Sequence, residues 1–500
     1  MATMTSRRAL LWGFGWGALG GVVVVGLMYL AASLAGIKPL TQALNEPLLS
    51  IMPGFVFGFL IDKLQHAGKV VEEAGLIVAM VVALGLLGSA WALFEVRRPL
   101  PHSALVFGGI AWLVVMVVLL PIAGSGFFGL NEGFTTPLVW AVLFVAYGMV
   151  LELSLGSDGG AVDPQRRSLL AALPLGIAAA SLGLVGLLRA PNWYRAIANP
   201  PGSGLNGPSP NITPVQDFYV VSKNFSDPVV DGSAWKLSIG GLVDNPRTFT
   251  LAELRALPSV TQYVTLECIS NLVGGPQMST GSFTGVKLSD LLALAGPKAS
   301  ASWAAFHSVD GYAESLQLSL VNSDPTILVA YDLNSAPLPT GHGFPARMLV
   351  PGHYGMKGPK WLQSIDLVDK ESGGYWEQQG WDHNAIVKTT SRFDVPLDGA
   401  IVSLGAASLY GVAFGGARGI SKVEVSTDGG NSWSEATFDT PLSPLTWVLW
   451  HASWSPASEG SYTLQVRATD GTGALQTSRQ AASYPSGSSG FHTIRVDVSR

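Results

Sequence analysis

Long uncharged runs fill the chain up to about residue 190, and charged residues are frequent only beyond it. A bilayer core about 30 Å thick needs roughly 20 consecutive apolar residues in a helix. Four stretches meet that length: Ala9 to Ala35, Ala74 to Phe94, Ser103 to about Gly124, and Ser168 to Leu188. A fifth, Phe134 to Leu151, is shorter. The pattern therefore predicts a transmembrane helical domain over residues 1–190 with about five spans. Between the first two, Pro47 to Ile61 is broken by Pro53, Gly54 and Gly58, which predicts a re-entrant or interfacial piece over 47–61. Positively charged loops stay in the cytoplasm. With five crossings, Arg7–Arg8, Arg97–Arg98 and Arg166–Arg167 share one side, so the C-terminal half is expected outside the cytoplasm. The run QRRSLLAALPLGIAAASLGLVGLL also has the look of an internal twin-arginine export signal, a second explanation of the same arginines.

Past the apolar half, residues 191–211 read as a linker, since Asn199 to Pro210 is rich in Pro, Gly and Ser. Over 212–383, β-type runs such as AWKLSIGGLV and SVTQYVTLEC alternate with helical pieces such as TLAELRAL, the mark of an α+β domain. Over 384–500, KVEVSTD and YTLQVRAT alternate apolar with polar residues between DGG and DGTG turns, which predicts an immunoglobulin-like β-sandwich. The expected fold is thus multi-domain: an α-helical transmembrane bundle, an α+β domain and a sandwich.

A net charge of −5, with no basic run interleaved with aromatics, argues against a nucleic-acid partner. The single cysteine excludes an intrachain disulfide, cysteine-based zinc sites, cysteine-ligated iron–sulfur clusters and CxxCH haem attachment. That residue, Cys268, stands in TLECISN (Thr265 to Asn271) at the end of a predicted strand, where a thiol serves as a metal ligand or nucleophile, or as a small buried hydrophobe. Gly341 to Asp369 gathers His342, Arg347, His353, Lys357 and Lys360 among glycines. Glycines admit an anion close to backbone N–H groups and the cationic heads complement phosphate, so the segment reads either as a cradle for a phosphate-bearing cofactor or as a solvated basic loop.

The two segments, with DGYAESLQL (Asp310 to Leu318) between them and VEVSTDGGNSW after them, resemble the sulfite-oxidase family of molybdopterin enzymes over about residues 212 to 500. The resemblance implies one molybdenum held by a single molybdopterin, an α+β molybdopterin-binding domain, and a C-terminal domain that in this family often forms a homodimer. It implies Cys268 as the molybdenum ligand and catalytic residue, His342 and Arg347 of the HGFP-x-R run as pterin contacts, Lys360 as a further contact, and Lys357 as a basic residue of the same loop. Asn224 falls where many members have a histidine near the cofactor, and Asp310 and Tyr312 are pocket-wall candidates. Electrons must pass to a separate cytochrome or quinone, because the chain shows no haem, flavin or iron–sulfur motif.

Three positions depart from the family's sulfite-binding pattern: Ser222 and Val273 stand where arginines are expected and Trp381 where a tyrosine is expected. Charged hydrogen bonds contribute roughly 1.5–3 kcal/mol each, so a dianion would bind poorly without them. A membrane-anchored oxo-transferase acting on a small, less charged substrate is expected. A sulfite oxidase feeding a cytochrome c and a non-catalytic membrane-tethered binding module are the alternatives.

Overall fold

The computed structural model describes residues 5–53, 56, 59–60, 63–64, 67–156, 164–198, 207–225 and 227–500. They fall into two compact units, residues 1–52 with 66–198 and residues 53–65 with 199–500.

In the first unit, four helices are long and apolar enough to cross a membrane: Ser6–Ala35, Ala67–Arg97, Ser103–Ile122 and Thr135–Ser154. The stretch expected as a further span at Ser168 to Leu188 lies inside the helix Pro164–Ala198, but its described apolar part is only Leu175–Ala190. The interrupted region after residue 46 begins as the end of the short helix Leu40–Ile51, which contains Pro47. Much of 54–66, and of the linker at 199–206, lies outside the described residues. Small residues bring the first two long helices together: a Cβ on Gly13 would stand 2.4 Å from the Gly88 carbonyl oxygen, the close approach that glycine permits between apolar helices. Nearby, Glu73 is buried and accepts hydrogen bonds from Tyr29 Oη (2.8 Å), Arg189 Nη2 (2.7 Å) and Trp193 Nε1 (2.8 Å). One carboxylate thereby ties three helices.

In the second unit, the predicted β-runs form strands whose alternation matches their burial. The first sheet has the order Arg247–Thr250, Lys236–Gly241, Leu362–Val368, Trp303–Ser308, Ala313–Gln317. Leu237, Ile239, Phe306, Leu362, Ile365 and Leu367 bury one of its faces in the main core. A second sheet runs Val260–Glu267, Met278–Lys287, Leu328–Leu333, Ala336–Pro337, with Arg347–Leu349 paired to Leu328–Leu333. The helix Leu251–Ala256 carries a complete capping box from Thr250 and Glu253.

Beyond residue 389 two sheets share one core. One holds Thr390–Val395, Ala407–Phe414, Val448–Trp454 and Thr437–Phe438; the other holds Ile401–Ser403, His492–Ser499, Gly460–Asp470, Ile420–Ser426 and Ser434–Glu435. Phe393, Leu409 and Trp450 from the first meet Val423, Leu464, Val466 and Ile494 from the second. This β-rich region also braces the turn after Cys268: Arg392 Nη1 donates to the Gly275 carbonyl (2.7 Å) and Ser488 Oγ to the Asn271 carbonyl (2.7 Å).

Candidate active site

Cys268 is the first residue after the strand Val260–Glu267, whose last four residues are all buried. Its N–H donates to the Gln277 carbonyl (3.0 Å) and its carbonyl accepts from Asn271 N–H (2.9 Å), which closes a turn that fixes the thiol at the strand end. Sγ lies 3.1 Å from Ser270 Oγ. Burial pushes the thiol's pKa up; Ser270 and the Lys360 charge pull against that, and Glu267 adds to it. An isolated thiol here stays protonated, whereas a cation bound to the sulfur would hold it as thiolate.

The basic segment runs directly beside this turn. A Cβ on Gly355 would stand 2.8 Å from Tyr219 Oη and 3.5 Å from the Glu267 carbonyl oxygen, so only glycine lets the backbone pass. Cys268 and Phe344 pack against the same cluster of Phe218, Tyr219, Leu266 and Leu349. Gly343 has a φ of 105°, and a Cβ there would meet Lys360 Cβ at 2.9 Å. The HGFP turn thus folds onto Lys360.

His342 is buried, its ring edge-on to Phe218 at 5.3 Å. Burial, then the Arg347 and Lys360 charges, push its pKa down to about 3, so the ring is neutral at ordinary pH. Arg347 is buried in the strand Arg347–Leu349 and donates only to carbonyls, those of Met348 (3.3 Å), His342 (3.4 Å) and Gly358 (3.3 Å). Burial pulls its pKa down to about 10 while Tyr219 pulls it up, leaving it cationic. Among the described residues no carboxylate bonds this guanidinium. Lys360 Nζ donates to the carbonyls of Val221 (3.0 Å) and Gly341 (2.9 Å) and sits 4.4 Å from the Trp361 ring centroid.

Lys357 ends the short 3-10 turn Gly355–Lys357 in the same segment. Its buried ammonium bonds Glu314 Oε1 (2.8 Å) and Glu377, so its charge is matched within the fold. Burial would lower its pKa, but the two carboxylates raise it. Their separations in sequence hid this from sequence reasoning. Asn224 Nδ2 donates to Asp310 Oδ2 (2.8 Å), and Asp310 Oδ1 accepts from Tyr312 N–H (3.0 Å). Tyr312 Oη in turn donates to the Met356 carbonyl (2.6 Å), which ties this wall to the basic segment. Burial, Glu314, Asp310, Glu377 and Cys268 all raise the Tyr312 pKa, so its hydroxyl stays protonated.

Of the three departing positions, the Ser222 hydroxyl accepts from Asn224 N–H (3.1 Å) and Val273 is half-buried in the turn after Cys268. Trp381 is buried edge-on to Tyr484 at 5.3 Å, and its Nε1 has no hydrogen-bond partner among the described residues. Sequence reasoning missed two neighbours, the buried Lys223 and Glu267. Burial pushes the Glu267 carboxyl up to about 7, although Asn271 and Arg392 lower it.

A thiol at a fixed turn and a buried guanidinium without an anionic partner form a donor set suited to a soft metal carried on an anionic group. A neutral histidine and a lysine that donates to the carbonyls of Val221 and Gly341 complete it. Residues 224–376 match the family model of the oxidoreductase molybdopterin binding domain, and residues 383–498 match that of the Mo-co oxidoreductase dimerisation domain. The chain is 33% identical over 290 residues to the sulfite oxidase of Arabidopsis thaliana, covering 48% of this chain and 73% of that protein. It is 32% identical over 154 residues, 31% of this chain and 56% of the relative, to a chain of Azospira oryzae provisionally named a protein-methionine-sulfoxide reductase subunit. It spans little more than half of the mouse and human mitochondrial sulfite oxidases, 56% and 55% of their lengths. The crystal structure of the sulfane dehydrogenase SoxCD from Paracoccus pantotrophus superposes with a TM-score of 0.53 at 24% identity, covering 60% of this chain and 86% of that one. At that identity the likeness is one of fold.

Proposed function

The chain belongs to the sulfite-oxidase family of molybdopterin-dependent oxidoreductases, and from that premise we propose that it is a membrane-anchored oxo-transferase acting outside the cytoplasm. The observation that carries the reading is the meeting of the Cys268 turn with the segment bearing His342, Arg347 and Lys360. Bound there, molybdenum–molybdopterin supplies a two-electron redox centre that exchanges an oxygen atom with substrate.

The chain's own groups supply the rest. Cys268 offers the metal a thiolate, and Arg347 and Lys360 offset the cofactor's negative charge while neutral His342 contributes a ring nitrogen. Asn224, Asp310 and Tyr312 form a hydrogen-bonded wall that holds the basic segment in register. Lys357, its charge already taken by Glu314 and Glu377, positions the loop through its backbone. Ser222, Val273 and Trp381 in place of charged or hydroxylic donors favour a substrate whose reacting group is neutral, such as a sulfoxide or N-oxide. Reduction of a sulfoxide then consumes two electrons and two protons and releases a thioether and water.

The four apolar helices together with the helix Pro164–Ala198 serve as the anchor, and five crossings with the arginine pairs inside would leave the second unit outside the cytoplasm. Electrons come from a separate carrier, a quinone or a cytochrome. The C-terminal domain, read as immunoglobulin-like, pairs two copies. Sulfite oxidation with a cytochrome c acceptor is the second reading, favoured by the kinship with sulfite oxidase.

Purified protein is expected to contain molybdenum and pterin in equal amounts and to turn over methionine sulfoxide with a reduced dye faster than sulfite with ferricyanide. Efficient sulfite turnover alone would overturn the substrate preference.

A further inference from the structure

Reduction of an oxide consumes two protons along with two electrons, and a buried site needs a route for them. The carboxyl groups around Lys357 run from the pocket wall to the surface. Glu314 stands in the strand Ala313–Gln317, two residues after Tyr312. A later loop lies along this strand, with Tyr375 N–H donating to the Ala313 carbonyl (2.9 Å). At Gly374 that loop closes on the Glu314 carboxyl: a Cβ there would stand 2.5 Å from Glu314 Oε2, and the Gly374 N–H donates to Glu377 Oε2 (2.6 Å). Glu314 is fully buried, and its Oε2 accepts no hydrogen bond among the described residues. Lys357 gives one ammonium to both carboxyl groups, and two like charges sharing a buried site disfavour full ionisation. Burial pushes the Glu314 carboxyl up against the pull of Lys357. Burial acts on Glu377 as well, but its bonds from Lys357 and Gly374 hold it below the usual carboxylate range. The pair therefore holds one proton, on Glu314, whose hydroxyl donates to Glu377. At the far end His383 Nδ1 lies 3.4 Å from Glu377 Oε2 and 3.2 Å from Glu371 Oε1, with its side chain 61% exposed.

We propose that His383, Glu377 and Glu314 form the proton inlet of the site, with Lys357 holding the two carboxyl groups together. This rests on the oxo-transferase reading above and deepens it by naming the source of its protons. Glu314 gives the proton it holds to the oxygen that leaves as water. Glu377 returns a proton to Glu314, and His383 passes the next one from solvent to Glu377. Each cycle restores the starting state of the cluster, and the electrons come separately from the carrier. Sulfite oxidation would use the same route outward. The inner end meets the pocket wall at Tyr312, whose hydroxyl donates to the carbonyl of Met356, the residue before Lys357. The charges of Glu314, Asp310, Glu377 and Cys268 all act on that hydroxyl. The charged groups facing the cluster are thus Lys357 from the basic segment, Asp310 from the turn before the strand, and Glu371 beside His383.

Two measurements on the holoenzyme test this, using wild type, His383→Ala and Glu314→Gln. In steady-state assays with methionine sulfoxide, Glu314→Gln is expected to lower kcat roughly a hundredfold, as for a lost proton donor, and His383→Ala about tenfold, because water still reaches Glu377. KM should stay unchanged in His383→Ala, and added imidazole should restore its kcat while leaving Glu314→Gln slow. A merely structural role for His383 would not respond to imidazole. Infrared spectroscopy reads the cluster without turnover. At neutral pH wild type is expected to show a protonated-carboxyl band that Glu314→Gln loses, and on mixing with heavy water that band should shift more slowly in His383→Ala than in wild type. Wild-type kcat in His383→Ala, no rescue by imidazole, or a wild-type carboxyl band identical to that of Glu314→Gln would overturn the proposal. Absence of molybdenum from wild type, or of turnover with every oxide tried, would instead overturn the oxo-transferase reading, and the infrared comparison would still decide whether His383 feeds protons to Glu314.

Discussion

Arg347 and Lys357 are buried cations of one segment, and their partners separate their roles. Lys357 and Glu314 have side chains 4% and 0% exposed, so Lys357→Met leaves two buried carboxylates without a cation. That is expected to cost about 3–5 kcal/mol of stability, read by thermal or urea melting, with partial rescue by a second change, Glu314→Gln. Equal stability of wild type and the single variant would contradict the pairing. Arg347→Met removes no ion pair and is expected to lower cofactor content more than melting temperature. His342 has its pKa depressed from 6.5 to about 3, so the native state disfavours its proton. The stability it contributes is present above about pH 6.5 and is lost as pH falls toward 3. Melting temperature should therefore fall less steeply across that window in His342→Gln than in wild type; parallel curves would count against a buried neutral ring. Glu267, pushed up to about 7 chiefly by burial, acts in the opposite direction and weakens the fold as pH rises through that value.

At the scale of elements, strand periodicity carried most of what the sequence could tell. VTQYVTLE alternates at its start and turns wholly buried at its end, and that end delivers Cys268. The glycines of the 341–369 segment spoke for close backbone approach, which Gly343 and Gly355 realise. The Lys357 ion pairs stayed illegible, because Glu314 and Glu377 lie 43 and 20 residues away on other elements and no local period links them. In the helical unit, apolar length marked the helices while glycine spacing decides their contact. A Cβ on Gly88 would stand 2.3 Å from the Gly13 carbonyl oxygen, whereas one on Gly75 meets nothing within 4 Å. Gly88→Leu is expected to lower the melting temperature in detergent, by the equivalent of about 1–3 kcal/mol, and Gly75→Leu to leave it nearly unchanged; similar effects of the two would contradict this packing.

At the scale of the whole molecule, one chain joins apolar helices to a catalytic unit and a β-rich C-terminal region. Its single cysteine makes the orientation testable. Val229 is 90% exposed, so Val229→Cys in a Cys268→Ser background is expected to react with a membrane-impermeant maleimide in intact cells. Labelling only after lysis would place the second unit in the cytoplasm. The central claim is the bond between molybdenum and the Cys268 sulfur, and molybdenum-edge X-ray absorption of wild type and Cys268→Ser tests it most directly. The account predicts one fewer sulfur neighbour around molybdenum in the variant, together with lost turnover. An identical sulfur shell in both proteins would contradict it.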